Sequence, residues 1–206
     1  MNRWVWIGFL ILALSVVGLN WVNAAPGIER NAPHFNERGE LLPPSDYRDW
    51  VYLTSGLNMS YSDNGKRAGP AGDTDELLPF DNVFVRPSAY REFQRTGTWP
   101  DHTIFVIEIR ASRTKVHPNQ SGYVQGDVVG MTAAVKDVQR FGDKKWGYFS
   151  LISDGKPGPS RAMPSDHCWN CHNKNGAVDT TFVQFYPTLK PIAAEKGTYK
   201  EPGAGR

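Results

Sequence analysis

Apolar and polar residues alternate most clearly in the run "TIFVIEIR", from Thr103 to Arg110. This period of two predicts a strand, and it assigns the odd positions, Ile107 among them, to the interior. A helix is predicted in "RPSAYREFQRTG", where Pro87 suits the first helical position and Gly97 provides the stop. Further strands are predicted over residues 82–86, 123–134 and 145–152.

These elements predict an α+β domain, predominantly an antiparallel β-sheet with short helices, and the last helix begins at Pro164 or Ser165. No βαβ alternation is visible. The length of 206 residues fits one domain. We place this domain at 39–190, between a flexible segment over 25–38 and a disordered tail over 191–206, because both flanks are polar and lack periodicity.

The chain begins with an apolar run from Trp4 to Leu19. Val22 and Ala24 supply the small-residue spacing of a cleavage site, which predicts a signal peptide over 1–24 and a periplasmic protein. A retained membrane anchor is the alternative, because the run is near the lower length limit for a spanning helix. Both interpretations put the body of the protein outside the cytoplasm.

The charge balance carries little information about partners. The chain has 23 Lys and Arg residues against 21 Asp and Glu, a net charge of +2. The basic residues form no stripe and are not interleaved with aromatic residues, so nucleic acid is not an expected partner.

The stretch "CWNCH" contains both cysteines of the chain, Cys168 and Cys171, followed by His172. In a C-x-x-C-H motif the two thiols add to the vinyl groups of haem, and the adjacent histidine binds the iron. The motif predicts one covalent haem c per chain on a haem-binding helix near the C-terminus. His167 is expected to be a surface residue.

Three other interpretations of the cysteines were weighed. A redox dithiol is expected beside a βαβ unit, and a structural zinc site needs a second ligand pair of matching spacing; neither is visible. A plain disulfide remains the alternative.

The second axial position of the iron decides between electron transfer and ligand binding. Of the four methionines, Met131 lies in a predicted strand and is expected to be a core residue. Coordination by Met131 or by a loop histidine remains an alternative, and it would give a plain electron-transfer protein. We expect an open or weakly blocked distal face.

Four segments of the chain are similar to a known family, and these are "PSDYRDWVYLTSG", "VFVRPSAYREFQRTGTWPDHT", "GYVQGDVVGMTAAVKDVQRFG" and "CWNCHNKNGAVDTTFVQFYPTLK". They resemble the cytochrome P-460 family, which includes the beta-type cytochromes c prime. The resemblance implies a sheet-rich fold, usually a homodimer, with one five-coordinate c-haem that binds gases such as nitric oxide or oxidises hydroxylamine. A partner cytochrome is a possible redox partner.

Enzymatic members of that family carry a lysine cross-linked to the porphyrin, a glutamate and an arginine, and the matching positions here are Ile107, Thr132 and Asp81. All three differ, so hydroxylamine oxidation by the family's route is not expected. A second route remains open, a hydroxylamine or nitric oxide oxidoreductase with Asp81 as the proton relay. Lys115 and Lys136 are available for a cross-link but are expected to be solvated charges.

Non-enzymatic members cap the iron with apolar side chains. Ile107, with Phe80 or Leu78 from the neighbouring strand, resembles that cap. This resemblance favours the binding of small nitrogen ligands over catalysis.

Overall fold

The computed structural model describes residues 32–61, 78–153 and 155–203. One antiparallel sheet, with its strands in chain order, and a small hairpin of two further strands make up the β-structure. The sheet strands are β1 (Val51–Leu57), β2 (Phe80–Val85), β3 (Ile104–Arg113), β4 (Val124–Lys136) and β5 (Trp146–Ser150); the hairpin strands are β6 (Ile152–Ser153) and β7 (Lys156–Pro157). The predicted α+β class with a mainly antiparallel sheet is confirmed.

The helices are short, and they are α1 (Pro87–Thr96), α2 (Val138–Phe141), α3 (Ser165–Asn175) and α4 (Lys190–Glu195). Single 3-10 turns stand at Tyr47–Asp49, Gly142–Lys144 and Val183–Phe185. Helix α1 starts and stops at the predicted residues, since Pro87 opens it and Gly97 closes it with φ 75°. Glycine adopts this left-handed conformation without steric cost.

Both faces of the sheet are buried. Phe105 and Ile109 on one face of β3 are 3% and 6% exposed, and Ile104 and Val106 on the other are 1% and 0% exposed. The prediction that only the odd positions face the interior is therefore wrong. Helices α1, α3 and α4 lie on the Phe105 face, while the segment before β1 covers the other face. The continuous apolar run of residues 104–107 at the start of β3 is typical of a strand buried on both sides.

The segment before β1 belongs to the folded domain from residue 32 onwards. Phe35 and Leu41 form a β-bridge, and Leu41 also bridges to Ser160. Leu41 is completely buried. The flexible segment predicted over 25–38 is therefore wrong for residues 32–38, whereas residues 25–31 and the predicted signal peptide 1–24 lie outside the described residues. Within the described ranges, no helix has the length and apolar character needed to cross a membrane.

The C-terminal segment packs onto the domain instead of forming the disordered tail predicted over 191–206. In α4, Ala193 is completely buried. The Thr198 hydroxyl donates to the carbonyl of Gly97 over 2.7 Å, and the backbone N–H of Lys200 donates to the carbonyl of Ala177 over 2.9 Å. These contacts fix the chain as far as Lys200, and the description ends at residue 203.

Candidate functional site

Helix α3 carries Cys168, Cys171 and His172 on one face. The three residues are spaced by three and four positions, and side chains at that spacing are neighbours on a helix surface. Both cysteines are partly buried and form no disulfide. Cys168 packs against the core that α1, α3 and α4 share with the sheet. The motif therefore faces the sheet.

His172 is held in a fixed orientation. Its Nδ1 lies 3.0 Å from the carbonyl oxygen of Thr180, so this nitrogen donates and Nε2 is left with its lone pair. The ring packs against Tyr148 and Phe182, with centroid separations of 4.6 and 4.4 Å. Burial lowers the pKa of His172, more than the Thr180 hydrogen bond raises it. The imidazole is therefore neutral, which is the form that binds a metal.

The Thr180 carbonyl reaches His172 because the chain turns tightly after α3. Asp179 and Thr180 have φ values of 47° and 59°. Non-glycine residues seldom adopt this region, least of all β-branched ones. Gly176 permits the close approach, since a Cβ there would lie 2.4 Å from the carbonyl carbon of Thr180 and 2.7 Å from the His172 oxygen. Other contacts must hold this turn.

Two adjoining cavities lie against the face of the sheet that carries Val83 and Ile107. The first, of about 140 Å³, includes His172 in its wall and is called the histidine cavity. The second, of about 360 Å³, is called the adjoining cavity. They share five lining residues, and these are Tyr61, Val83, Ile107, Phe182 and Tyr186. Together they give the volume that a small-molecule or cofactor site needs.

The sheet register determines which side chains line the wall opposite the helix. Val83 of β2, Ile107 of β3 and Thr132 of β4 are direct partners in neighbouring strands. Asp81 lies two residues before Val83 in β2, opposite Ile109, so its side chain is on the same face of the sheet as Val83. Asp81, Ile107 and Thr132 all line the adjoining cavity. The structure thus brings together the three distal positions named from the sequence.

A comparison with family models matches Cytochrome P460 over residues 44–183. The chain belongs to the cytochrome P460 family. No curated protein matches the chain significantly. The matched region contains the helix motif, the Thr180 turn and the three distal positions. Membership of the cytochrome P460 family implies that the protein binds haem.

The residues of the helix motif, of which His172 lines the histidine cavity, fit a haem. Cys168, Cys171 and His172 supply two thiols and an imidazole from one helix face. The indole N–H of Trp146 is buried without a hydrogen-bond partner, and Trp146 and Tyr148 both line the histidine cavity. Burial raises the pKa of Tyr148, so its hydroxyl stays protonated. Buried donors of this kind suit the carboxylate groups that a haem of the cytochrome P460 family carries.

The predicted apolar cap is partly wrong. Phe80 pairs with Arg110 and alternates with Asp81, so its side chain lies on the other face of the sheet. Neither Phe80 nor Leu78 lines either cavity; Val83 takes their place beside Ile107. Met59 and Tyr61, which follow β1, also line the adjoining cavity. No periodic pattern in the sequence pointed to these two residues.

Met131 is excluded as an iron ligand by its position. It lies beside Thr132 in β4, so its side chain is directed to the opposite face, where it packs with Ile104 and Val106 at 4% exposure. The loop histidines offer no replacement, since His34, His102 and His117 are exposed and line neither cavity.

The other interpretations of the cysteines find little support. Burial, and then the neighbouring Cys171, raise the pKa of Cys168, whereas a reactive dithiol needs a lowered thiol pKa. Among the described residues, no group of three or more His, Cys, Asp or Glu side chains is arranged to hold a metal ion.

The two lysines considered for a cross-link lie away from the cavities. Lys115 is exposed in the connection between β3 and β4. Lys136 was expected to be a solvated charge, and this is wrong: its side chain is 12% exposed and forms an ion pair with Asp179. Neither lysine lines the histidine cavity or the adjoining cavity.

Proposed function

We propose that the protein is an exported, periplasmic c-type cytochrome with one haem, which binds small nitrogen ligands such as nitric oxide and passes electrons to a partner cytochrome. One observation carries the ligand-binding part: Ile107 and Val83 line the same cavity as His172. An apolar wall thus stands across from the nitrogen that would bind the iron.

The attachment is assigned to three residues of α3. Cys168 and Cys171 would form thioether bonds with the haem, and His172 would bind the iron through Nε2, because its Nδ1 is engaged by Thr180. The sequence of the N-terminus supports export, and the C-x-x-C-H motif supports covalent attachment. A homodimer is proposed from the family resemblance alone.

When bound, the haem supplies an iron that coordinates small ligands and exchanges single electrons. The residues of the protein select which ligands reach the iron. Ile107 and Val83 offer no atom that coordinates a metal, and they disfavour charged ligands because an ion loses its hydration beside them. A small neutral molecule loses little hydration free energy when it enters the cavity. Thr132 is the polar neighbour of Ile107 in this row, and without a base beside it its hydroxyl is a poor proton acceptor.

A second function is supported by the position of Asp81. This carboxylate lines the adjoining cavity on the same face as Ile107 and Thr132. It can serve as the proton acceptor in oxidation of hydroxylamine or nitric oxide, in place of the glutamate that enzymatic relatives have at the position of Thr132. The apolar Ile107 at the cross-linking position argues against this activity.

The first experiment is a visible spectrum of the purified protein, ferric and dithionite-reduced, before and after addition of nitric oxide. We expect haem that stays with the protein after acid–acetone extraction, a ferrous high-spin band of ordinary position and a nitric oxide adduct. A haem-free protein would overturn the haem assignment. A low-spin spectrum that does not change with nitric oxide would leave electron transfer as the only function. In that case Met59, which lines the adjoining cavity, is the methionine to replace by leucine to test for a sixth ligand.

The second function has its own readout. Turnover of hydroxylamine with an artificial electron acceptor, abolished in Asp81→Asn and retained in Asp127→Asn on the exposed part of β4, would support the oxidoreductase. A strongly red-shifted ferrous Soret band would point the same way, because it indicates a modified porphyrin. Absence of turnover in the wild-type protein would remove this function.

A further inference from the structure

Lys136, at the end of β4, points its side chain into the protein. Its ammonium group forms an ion pair with Asp179 and donates to the backbone carbonyl of Trp99 over 2.7 Å. The two charged side chains are only 12% and 18% exposed. A pair this well shielded from water is costly to break, because either charge left alone is poorly solvated. Lys136 therefore ties strand β4 to the chain segment after α3.

The ion pair acts on the strained part of that segment. Asp179 directly precedes Thr180, and both have φ values in the left-handed region, 47° and 59°. Non-glycine residues in this region are strained and persist only where the surroundings fix them. Thr180 is the residue whose carbonyl accepts from Nδ1 of His172 at 3.0 Å. Anchoring Asp179 thus fixes the peptide that orients the histidine.

A second anchor holds the other side of the same peptide. The indole N–H of Trp99 donates to the hydroxyl oxygen of Thr181 over 2.9 Å, and that hydroxyl donates to the carbonyl of Val178 over 2.7 Å. Trp99 therefore binds Lys136 through its carbonyl and Thr181 through its ring. The Thr180 carbonyl lies between two fixed points.

We propose that Lys136 and Asp179 are positioning residues that hold the Thr180 carbonyl against His172 and thereby set the donor strength of Nε2 toward the haem iron. This inference rests on the proposed haem attachment. A hydrogen bond at one imidazole nitrogen raises the basicity of the other, and the basicity of an axial ligand is one determinant of the reduction potential. Lys136 and Asp179 themselves touch neither cavity.

The test compares Lys136→Met and Asp179→Asn with the wild-type holoprotein. Loss of the ion pair lets the Thr180 carbonyl withdraw, so the imidazole becomes a weaker donor and the ferric state loses more stabilisation than the ferrous state. We expect the equilibrium to shift about tenfold toward ferrous iron, which is a rise of about 59 mV for a one-electron couple. The ferrous iron–histidine stretching frequency in resonance Raman spectra should fall.

The chain provides a matched control. Lys144 forms an ion pair, at 2.7 Å, with Asp166 in the first turn of α3, and its ammonium group lies 5.2 Å from the centre of the Trp169 ring. Both partners belong to α3 and not to the Thr180 turn. Lys144→Met also removes one lysine charge from an ion pair and should leave both the potential and the stretching frequency unchanged. Lys136→Arg keeps the ion pair and should restore values close to wild type.

Each possible result either supports or overturns the positioning role of Lys136 and Asp179. An unchanged potential and stretching frequency in both ion-pair variants would overturn this inference while leaving the haem assignment intact, since the wild-type protein would still show its haem spectrum. Equal shifts in Lys144→Met would also overturn it, because the effect would then be general. If Lys136→Met fails to fold, Asp179→Asn and Lys136→Arg still give the comparison. A wild-type protein without haem would overturn the proposed function and this inference together.

Discussion

Ile107 lies in the central strand of the sheet, between Val83 and Thr132, and lines both cavities. Its side chain closes off the space across from His172. Ile107→Ala should open this wall, so that water gains access to the ferric iron and its spectrum changes toward a water-bound form. Truncation of a partly buried isoleucine also lowers the free energy of unfolding, by about 1–3 kcal/mol.

The control for Ile107→Ala is in the same strand. Val106 is completely buried on the opposite face of the sheet, so Val106→Ala lowers stability without reaching the cavities. Its ferric spectrum and its nitric oxide adduct should match those of the wild type. A water-bound spectrum in Val106→Ala, or its absence in Ile107→Ala, would contradict the prediction that Ile107 keeps water away from the iron.

At the scale of the elements, α1 ends where the C-terminal segment docks. Gly97 has φ 75°, and a Cβ there would lie 2.7 Å from Cβ of Lys196 and 2.8 Å from the Thr198 hydroxyl. Gly97→Ala therefore combines left-handed strain of about 1 kcal/mol with a clash that pushes the segment away. We expect urea unfolding to show a loss of stability well above that of the strain alone.

Gly122 separates the two contributions. Its φ is 84° and nothing lies within 4 Å of a Cβ built there, so Gly122→Ala introduces strain without a clash. The loss of stability in Gly97→Ala should be the larger of the two. Equal losses would mean that the C-terminal segment contributes no stability at this contact.

Local signals in the sequence were sufficient for the elements and insufficient for their contacts. Pro87 and Gly97 delimit α1 by their own backbone preferences, so the prediction of this helix needed no neighbour. The face of a strand residue depends on register, and a shift of one residue reverses it. The resemblance alone, which suggested Phe80 or Leu78 for the cap, could not supply the register that places Val83 opposite Ile107.

Contacts between distant segments left no local pattern. The segment around α4 is rich in Lys, Gly and Pro, which is typical of disorder, yet Ala193 is buried by a contact that only the folded chain creates. Lys136 looked like a solvated strand-end charge because its partner, Asp179, is 43 residues away in sequence. The C-x-x-C-H motif, by contrast, is local and needed no tertiary information.

At the scale of the whole molecule, the central sheet separates two kinds of interior. One face, with Ile107, borders the cavities and is largely apolar. The other contains a buried carboxylate, Glu108, which is 1% exposed. It accepts hydrogen bonds from Tyr47 and Arg110 and forms an ion pair with Arg48 at 2.5 Å. No local pattern in the chain indicates this cluster.

This separation predicts that acid stability and ligand binding respond to different residues. Burial on its own would raise the pKa of Glu108, but the hydrogen bonds from Arg110 and Tyr47 and the charges of Arg110 and Arg48 hold it below its usual value. A carboxyl group whose pKa is lowered in the folded state stabilises the protein at pH values above its unfolded-state pKa, which is about 4.3 for glutamate. This stabilisation is lost as the pH falls through the folded-state pKa.

Glu108→Gln should therefore lower the free energy of unfolding by about 1.5–3 kcal/mol at neutral pH, the range for hydrogen bonds to charged groups. The difference from the wild type should shrink as the pH falls below about 4. Urea unfolding at both pH values measures this, with Glu92→Gln as the control, because Glu92 pairs with Arg95 on the exposed surface of α1. A difference that does not change with pH would contradict the role of the Glu108 charge.

Since Glu108 faces away from the cavities, the nitric oxide adduct should stay unchanged in Glu108→Gln. A changed adduct would show that the two faces of the sheet are coupled.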